Sequence, residues 1–483
     1  MCGRLRSHVR FLPLKIVSGL DFYSNGRKNE SFYVSLLFRC LDFARHDMDN
    51  IKNQITMNKS IKLRLIVMNV LQWAVWGSYL TSMGSYLASV GLATRIGIFY
   101  SMQGIVSIFM PTLMGIVADK FIPAQRLLGF CHGIAGAAML GAGLYGMTAG
   151  TDISFGILFG LYAVSVAFYM PTIALSNSTA FKILEQNGCD TVKDFPPIRV
   201  FGTVGFICAM LFVNFMTNGA GVQYQHSYNQ FIVSGVLGIA MLAYCMTLPN
   251  CPCKANSAEN QTLAQRFGLD AFALFKDKQM AIFFVFSMLL GVALQITNGF
   301  ANPFISHFQE VPEFAQTWGA RNANALISIS QVSETLGILL IPIAMRIFGI
   351  KRVMLIAMFA WVMRFGFFGL GNTGSGVWLL ILSMIVYGVA FDFFNISGAL
   401  YTNMRTSDKL QNSAQGLFML MTNGIGATIG TLSAQAVVNH FVYNAAEPNW
   451  SAAWYAFAAY ALVVAFLFMI LFKEPKDATQ KVA

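Results

Sequence analysis

From Lys62 onward the chain is a succession of apolar runs of about twenty residues or more, parted by short polar connections, which is the pattern of membrane-spanning helices. The runs fall near residues 63–87, 96–118, 127–149, 152–176, 198–217, 229–248, 280–303, 323–345, 353–371, 377–399, 413–438 and 450–472. The longest polar connection, from Pro249 to Lys278, divides them six and six. The prediction is an all-α integral membrane protein with twelve transmembrane helices in two six-helix bundles, at 57–248 and 280–472, with an inter-bundle loop at 249–279 and a short tail at 473–483. Residues 1–56 break the pattern: charges are scattered through short apolar pieces, Pro13 and Lys15 interrupt Phe11 to Leu20, and there is no small-residue cleavage signature. A poorly structured extension is expected there, produced by an upstream start codon or serving as a cytoplasmic tail, with the membrane-embedded core opening at Met57.

Composition agrees with the pattern. Apolar residues make up 56% of the 483 positions and charged ones 11%, against about 25% charged in a soluble domain, so a soluble globule and a disordered chain are both excluded. The 32 Lys and Arg against 21 Asp and Glu give a net +11, which in a soluble protein would suggest nucleic acid. Here the basic residues gather in alternate connections, at Lys120, Arg126, Lys182, Lys193, Lys254, Arg266, Lys276, Lys278, Arg346, Lys351, Arg352, Arg405 and Lys409, whereas the other connections hold Arg95 and Arg321. That asymmetry is the positive-inside signature, and it puts both termini in the cytoplasm. Eight scattered cysteines give no disulfide framework, and Cys251 and Cys253 lack zinc spacing. No phosphate-binding Gly-rich loop, metal cluster or nucleic-acid module is visible, so neither an ATP-driven mechanism nor an enzyme is expected, and no metal or other cofactor.

Polar side chains within apolar helices are costly and therefore mark candidate function. Arg199, Thr203 and Phe206 stand at i, i+4 and i+7 on one face, after a proline pair that starts the helix. Snorkelling of Arg199 to the surface is the competing reading. Gln295 and Asn298, and likewise Gln331 and Glu334, are i,i+3 pairs that each project from one stripe. Single amides often only bond neighbouring helices, but two such pairs on consecutive helices, one with a carboxylate, point to a polar cavity. Tyr387 and Phe391 stack on one face, with Asp392 rotated about 100° from Phe391. Arg364 is expected to pair with Asp392 or Glu334, since an unpaired charge there is strongly unfavourable. His132 is expected to pack or to bond between helices.

After the second helix of each half the chain echoes itself: Gly115 to Lys120 and Arg126 correspond to Pro342 to Arg346 and Lys351-Arg352. A duplicated transporter with a midplane site leaves such a trace. The Gly115-x-x-x-Asp119-Lys120 loop resembles the signature between helices two and three of the major facilitator superfamily, where Asp119 would gate or tie down a helix end. Longer stretches, Asp194 to Arg199, Leu269 to Lys276, Leu294 to Asn298, Ser330 to Glu334 and Phe391 to Gly398, resemble the nucleoside–proton symporter family of that superfamily from about Met57 to Phe472.

The resemblance implies a multi-pass protein of the bacterial cytoplasmic membrane that takes up nucleosides with protons by alternating access. It assigns nucleoside contacts to Arg199, Thr203, Phe206, Gln295, Asn298, Gln331, Glu334, Tyr387 and Phe391, and a functionally important aspartate to Asp392. The partners implied are nucleosides, protons and the lipid bilayer, with no nucleic acid and no obligate protein. Amides and carboxylates suit ribose hydroxyls and base edges, and aromatic rings suit the flat face of a base. Proton coupling requires an embedded carboxylate that loads on one side and releases on the other, for which Glu334 and Asp392 are the candidates. The rivals are a sugar or oligosaccharide symporter of the same superfamily and, more remotely, a membrane sensor.

Overall fold

The computed structural model describes residues 59–253, 269–407 and 410–473. The expected N-terminal extension, part of the inter-bundle loop and most of the tail lie outside them. The described residues from Ile61 onward group as one compact unit built of helices.

Fourteen α-helices are labelled in chain order. They are α1 (59–77), α2 (Met83–Ser89), α3 (Ile96–Lys120), α4 (Ala124–Ala149), α5 (Phe155–Gln186), α6 (Thr191–Phe215) and α7 (Asn229–Cys245), then α8 (Lys278–His307), α9 (Trp318–Arg321), α10 (Ala323–Leu370), α11 (Val377–Arg405), α12 (Gln411–Met419), α13 (Ala427–Val438) and α14 (Trp450–Leu471). Among the described residues nine helical segments are long and apolar enough to cross a membrane. One of them, α10, is two helices meeting at a kink, and α1 with α2 and the shorter apolar α7 supply further crossings, so the architecture is consistent with twelve.

Five spans differ from their sequence outline. The first is broken: α1 ends at 77 and α2 begins at Met83, with turns between them over Ser78 to Ser82, a segment that holds Ser78, Thr81 and Ser82. Composition alone shows this stretch as apolar, because its neighbours hide the serines. The fifth span starts at Thr191 rather than 198, since the N–H groups of Lys193 and Asp194 bond the Asp190 carbonyl and set the first turn before Pro196 and Pro197 enter it. The eighth and ninth spans join without a loop, because Gly349 alone, at φ 73°, makes the break. The repeated loop motif is therefore a turn over Phe121 to Pro123 in the first half and a single residue in the second. The eleventh is interrupted by a π-helical turn, Leu420–Gly426, whose wider i→i+5 bonding inserts a residue into the helix.

Glycines set how closely these helices approach. A Cβ on Gly97 would stand 2.6 Å from the Thr431 carbonyl oxygen, and one on Gly104 2.5 Å from Thr428 Oγ1. Small residues let helix backbones meet where apolar area alone gives no preference for protein over lipid. At one end of the molecule ion pairs fix helix starts. Lys62 pairs with Asp194 at 2.7 Å and Arg405 with Asp277 at 2.7 Å. Asp277 also caps α8, accepting from the N–H of Gln279 and Met280 at 2.8 and 3.2 Å. Burial works against its charge, but these donors and Arg405 outweigh it and hold the carboxyl below its ordinary range.

Candidate functional site

The expected site residues come from helices of both halves. On α6, Arg199 lies with its guanidinium carbon 3.9 Å from the centroid of the Trp73 ring on α1, not extended to the surface. Phe206 is buried and meets Trp76 edge to face at 6.4 Å. Thr203, between them in sequence, is half-buried. On α8 the Asn298 amide donates to Gln295 Oε1 at 3.2 Å, so the i,i+3 pair forms within its own helix. Gln331 and Glu334 on α10 are half-buried. Glu334 makes no hydrogen bond or ion pair among the described residues, yet it interacts electrostatically with Arg199 of the other half from beyond 4 Å. On α11, Tyr387 and Phe391 stack nearly parallel, 3° apart with centroids at 5.7 Å. Asp392 is buried off that face, its Oδ2 has no partner, and Glu334 acts on it electrostatically. Phe391 and Asn395 border a cleft with Leu294, Trp361 and Asn423.

The expected ion pair of Arg364 does not form. The side chain is buried, donates from Nη1 to the Ser383 carbonyl at 2.6 Å and to Ser330 Oγ at 3.3 Å, and lies 4.5 Å from the Tyr387 ring centroid. A helix carbonyl and an aromatic face replace the carboxylate, and both carboxylates are left unpaired. Asp119 is exposed at the end of α3 and forms no ion pair among the described residues, so the helix-end tie expected of it is not seen. His132 makes the interhelical bond expected of it, to Gln72 Oε1 at 2.7 Å.

A second constellation was not anticipated. At the end opposite the Lys62–Asp194 pair, amides knit the two halves together. Thr81 donates to Asn324 Oδ1 at 2.9 Å, Ser85 to Asn302 Oδ1 at 2.5 Å, and Asn302 Nδ2 to Asn324 Oδ1 at 2.8 Å. The Asn324 N–H donates to Gln225 Oε1 at 3.2 Å, and Asn214 Nδ2 to Asn322 Oδ1 at 2.8 Å. Across the molecule the Gly97 N–H donates to Gln435 Oε1 at 2.5 Å, and Gln435 Nε2 donates to the Ala93 carbonyl at 3.0 Å. The signal was available in the sequence, because Asn302 and Asn324 are amides at the margins of apolar runs, like Gln295 and Asn298.

Comparison with known proteins gives this arrangement its context. Residues 58–477 match the family described as nucleoside H+ symporter. The xanthosine permease of Escherichia coli strain K12 is 43% identical over 421 residues, covering 86% of this chain and 97% of the permease. The nucleoside permease NupG of the same strain is 43% identical over 418 residues, covering 86% and 96%. A crystal structure of a point mutant of the nucleoside transporter NupG superposes with a TM-score of 0.80 at 41% identity, over 86% of this chain and all of that one. Tetrameric PepTSo2, at 13% identity and a TM-score of 0.62 over 85% and 97% of the two chains, shares the fold alone. The chain is a multi-pass membrane transporter with the major facilitator superfamily fold, and it belongs to the nucleoside H+ symporter family.

Proposed function

We propose that this chain takes up nucleosides together with protons across the bacterial cytoplasmic membrane, with both termini cytoplasmic, by rocking its two helical halves around a central site. The observation that supports this most directly is the placement of Arg199 and Glu334, one from each half, in electrostatic reach of each other, beside the parallel rings of Tyr387 and Phe391. A nucleoside offers hydroxyls and base edges to the charged and amide groups Arg199, Thr203, Gln295, Asn298, Gln331 and Glu334, and a flat face to the aromatic pair and Phe206. Substrate that engages both halves at once favours the closed intermediate through which alternating access passes.

In this reading the inward proton motive force drives uptake with no other cofactor, and each proton gains about 2.3 kcal/mol per 100 mV of membrane potential. Glu334 links substrate to proton, since it shares a stripe with Gln331 and has no fixed partner. Asp392, buried with one unpartnered oxygen, serves as the second proton or gating group. Asp119 and Arg364 take structural or gating roles, Arg364 by fixing α10 to α11.

The test is uptake into proteoliposomes under an imposed pH gradient. Uridine, adenosine and xanthosine should accumulate, and hexoses should not compete. Glu334→Gln and Asp392→Asn should each cut accumulation at least tenfold while equilibrative exchange persists in one of them; full accumulation by both variants would remove the assignment.

A further inference from the structure

We infer that Trp73 is a positioning residue, a flat rest that holds the Arg199 guanidinium facing the transport site while leaving its N–H edge free for substrate. The inference rests on the reading that Arg199 contacts the nucleoside, and it concerns a residue that the polar-in-apolar rule passes over because tryptophan is unremarkable in a span.

The geometry begins with helix packing. A Cβ on Gly202 would come 2.5 Å from Trp73 Cδ1 and 3.0 Å from Arg199 Nη1, so the slot that holds ring and guanidinium together exists because position 202 lacks a side chain. Gly77 and Gly205 on the same two helices lie against the backbones of Phe206 and Val70, which brings α1 and α6 into direct contact on either side of that slot. Within it the guanidinium carbon sits 3.9 Å from the Trp73 centroid, a stacking distance.

The wall behind is fixed. Trp73 packs on Trp76 at 5.8 Å, Trp76 on Tyr169 at 5.8 Å, and Trp76 also meets Phe206. Tyr169 donates its hydroxyl to the Gln72 carbonyl at 2.8 Å, while the Gln72 amide donates to Thr172 Oγ1 at 2.8 Å and its oxygen meets His132. One anchored aromatic array therefore sets both Arg199 and Phe206.

The chemistry gives this arrangement a purpose. A guanidinium has five donors along its edge and a π-face on each side. An ion pair to a carboxylate would fix its position by consuming donors. Stacking fixes the plane through the face and consumes none, and Arg199 has no hydrogen bond or ion pair among the described residues. Lysine at 199 would lose both the stack and the edge.

The test is a double-mutant cycle on uridine uptake in proteoliposomes, read as KM and maximal rate with the melting temperature of each variant. Trp73→Leu should raise KM about tenfold, equivalent to about 1.4 kcal/mol, with the maximal rate within about twofold, and Trp73→Phe should recover most of the loss. In an Arg199→Gln background Trp73→Leu should add nothing. An unchanged KM in Trp73→Leu, or the same penalty with Arg199 absent, overturns the inference and leaves the site reading standing. If Arg199→Gln alone transports normally, the site reading falls and the inference with it. Should Trp73→Leu fail to insert, Trp73→Phe and Gly202→Ala carry the same comparison, the latter by wedging ring and guanidinium apart.

Discussion

The two ends of the molecule are held by different means. At the basic end the ion pairs Lys62–Asp194 and Arg405–Asp277 each stay within one half. At the opposite end, outward in the proposed orientation, buried neutral amides and hydroxyls cross from one half to the other, with Asn302 touching Ser85, Asn324, Ser306 and Gln225. Ion pairs within a half brace it as a rigid body. Amide bonds between halves form a closure that can be undone, because neutral hydrogen bonds inside a membrane protein are each worth only about 0.6 to 2 kcal/mol. In the proposed orientation the outer end is thus held by contacts weak enough to exchange, as an alternating-access cycle requires, and the charged pairs stay clear of the interface that must part.

The sharpest way to break this contrast is Asn302→Ala. It strips Ser85 of its partner and leaves Asn324 Oδ1 with Thr81 alone, and a buried polar group left orphaned costs about 1–3 kcal/mol. Hydrogen exchange over residues 78–89 and 320–328 should accelerate about tenfold or more, while residues 191–200 and 278–290 keep their protection. Unaltered exchange at 78–89 would show that the network does not hold the end shut.

A smaller effect is expected from pH. His226, in the connection between α6 and α7 and next to Gln225 of the network, is pushed down to about 4 by burial, and its Nε2 has no partner. An opened state binds the proton near the ordinary value of about 6.5, whereas the closed state refuses it until about 4. The contribution of neutral His226 is therefore complete above 6.5 and is lost progressively as pH falls from 6.5 to about 4. Melting temperature should drop across that window, and His226→Gln should flatten the slope. An identical pH profile in the variant would detach this histidine from the closure.

The least effect belongs to the basic end. Lys62→Ala removes a pair whose side chains are 38% and 25% exposed, and such pairs are worth about 0 to 1 kcal/mol. Stability should change by no more than that, and exchange at the outer end not at all. A large change at residues 78–89 would mean that the two ends are coupled through α1.

Much of this could be read from the chain before its structure. Hydrophobic run length determined the helices, because backbone groups inside a bilayer have no other way to be satisfied, and the 3.6-residue period placed Tyr387 over Phe391 and turned Asp392 away. What could not be read was pairing between distant segments. Arg364 was matched to a carboxylate by charge, whereas the Ser383 carbonyl and the Tyr387 ring supplied its environment. Trp73 acquires its role through Arg199, more than 120 residues away, and Asn302 reaches Ser85, more than 200 residues away. The break at Ser78 to Ser82 escaped notice because hydropathy averages over a window wider than the break itself.

Gly349 has a consequence for the length of the connection it makes. One residue at φ 73° reverses the chain between the helix that carries Glu334 and the one that carries Arg364. A side chain at that position would be strained whatever space surrounds it. The matching connection in the first half is a turn over Phe121 to Pro123. This one has no slack: an insertion would rotate the ninth span by about 100° and carry Arg364 off α11. Among the described connections it is a place where length, and not only residue type, decides which faces meet.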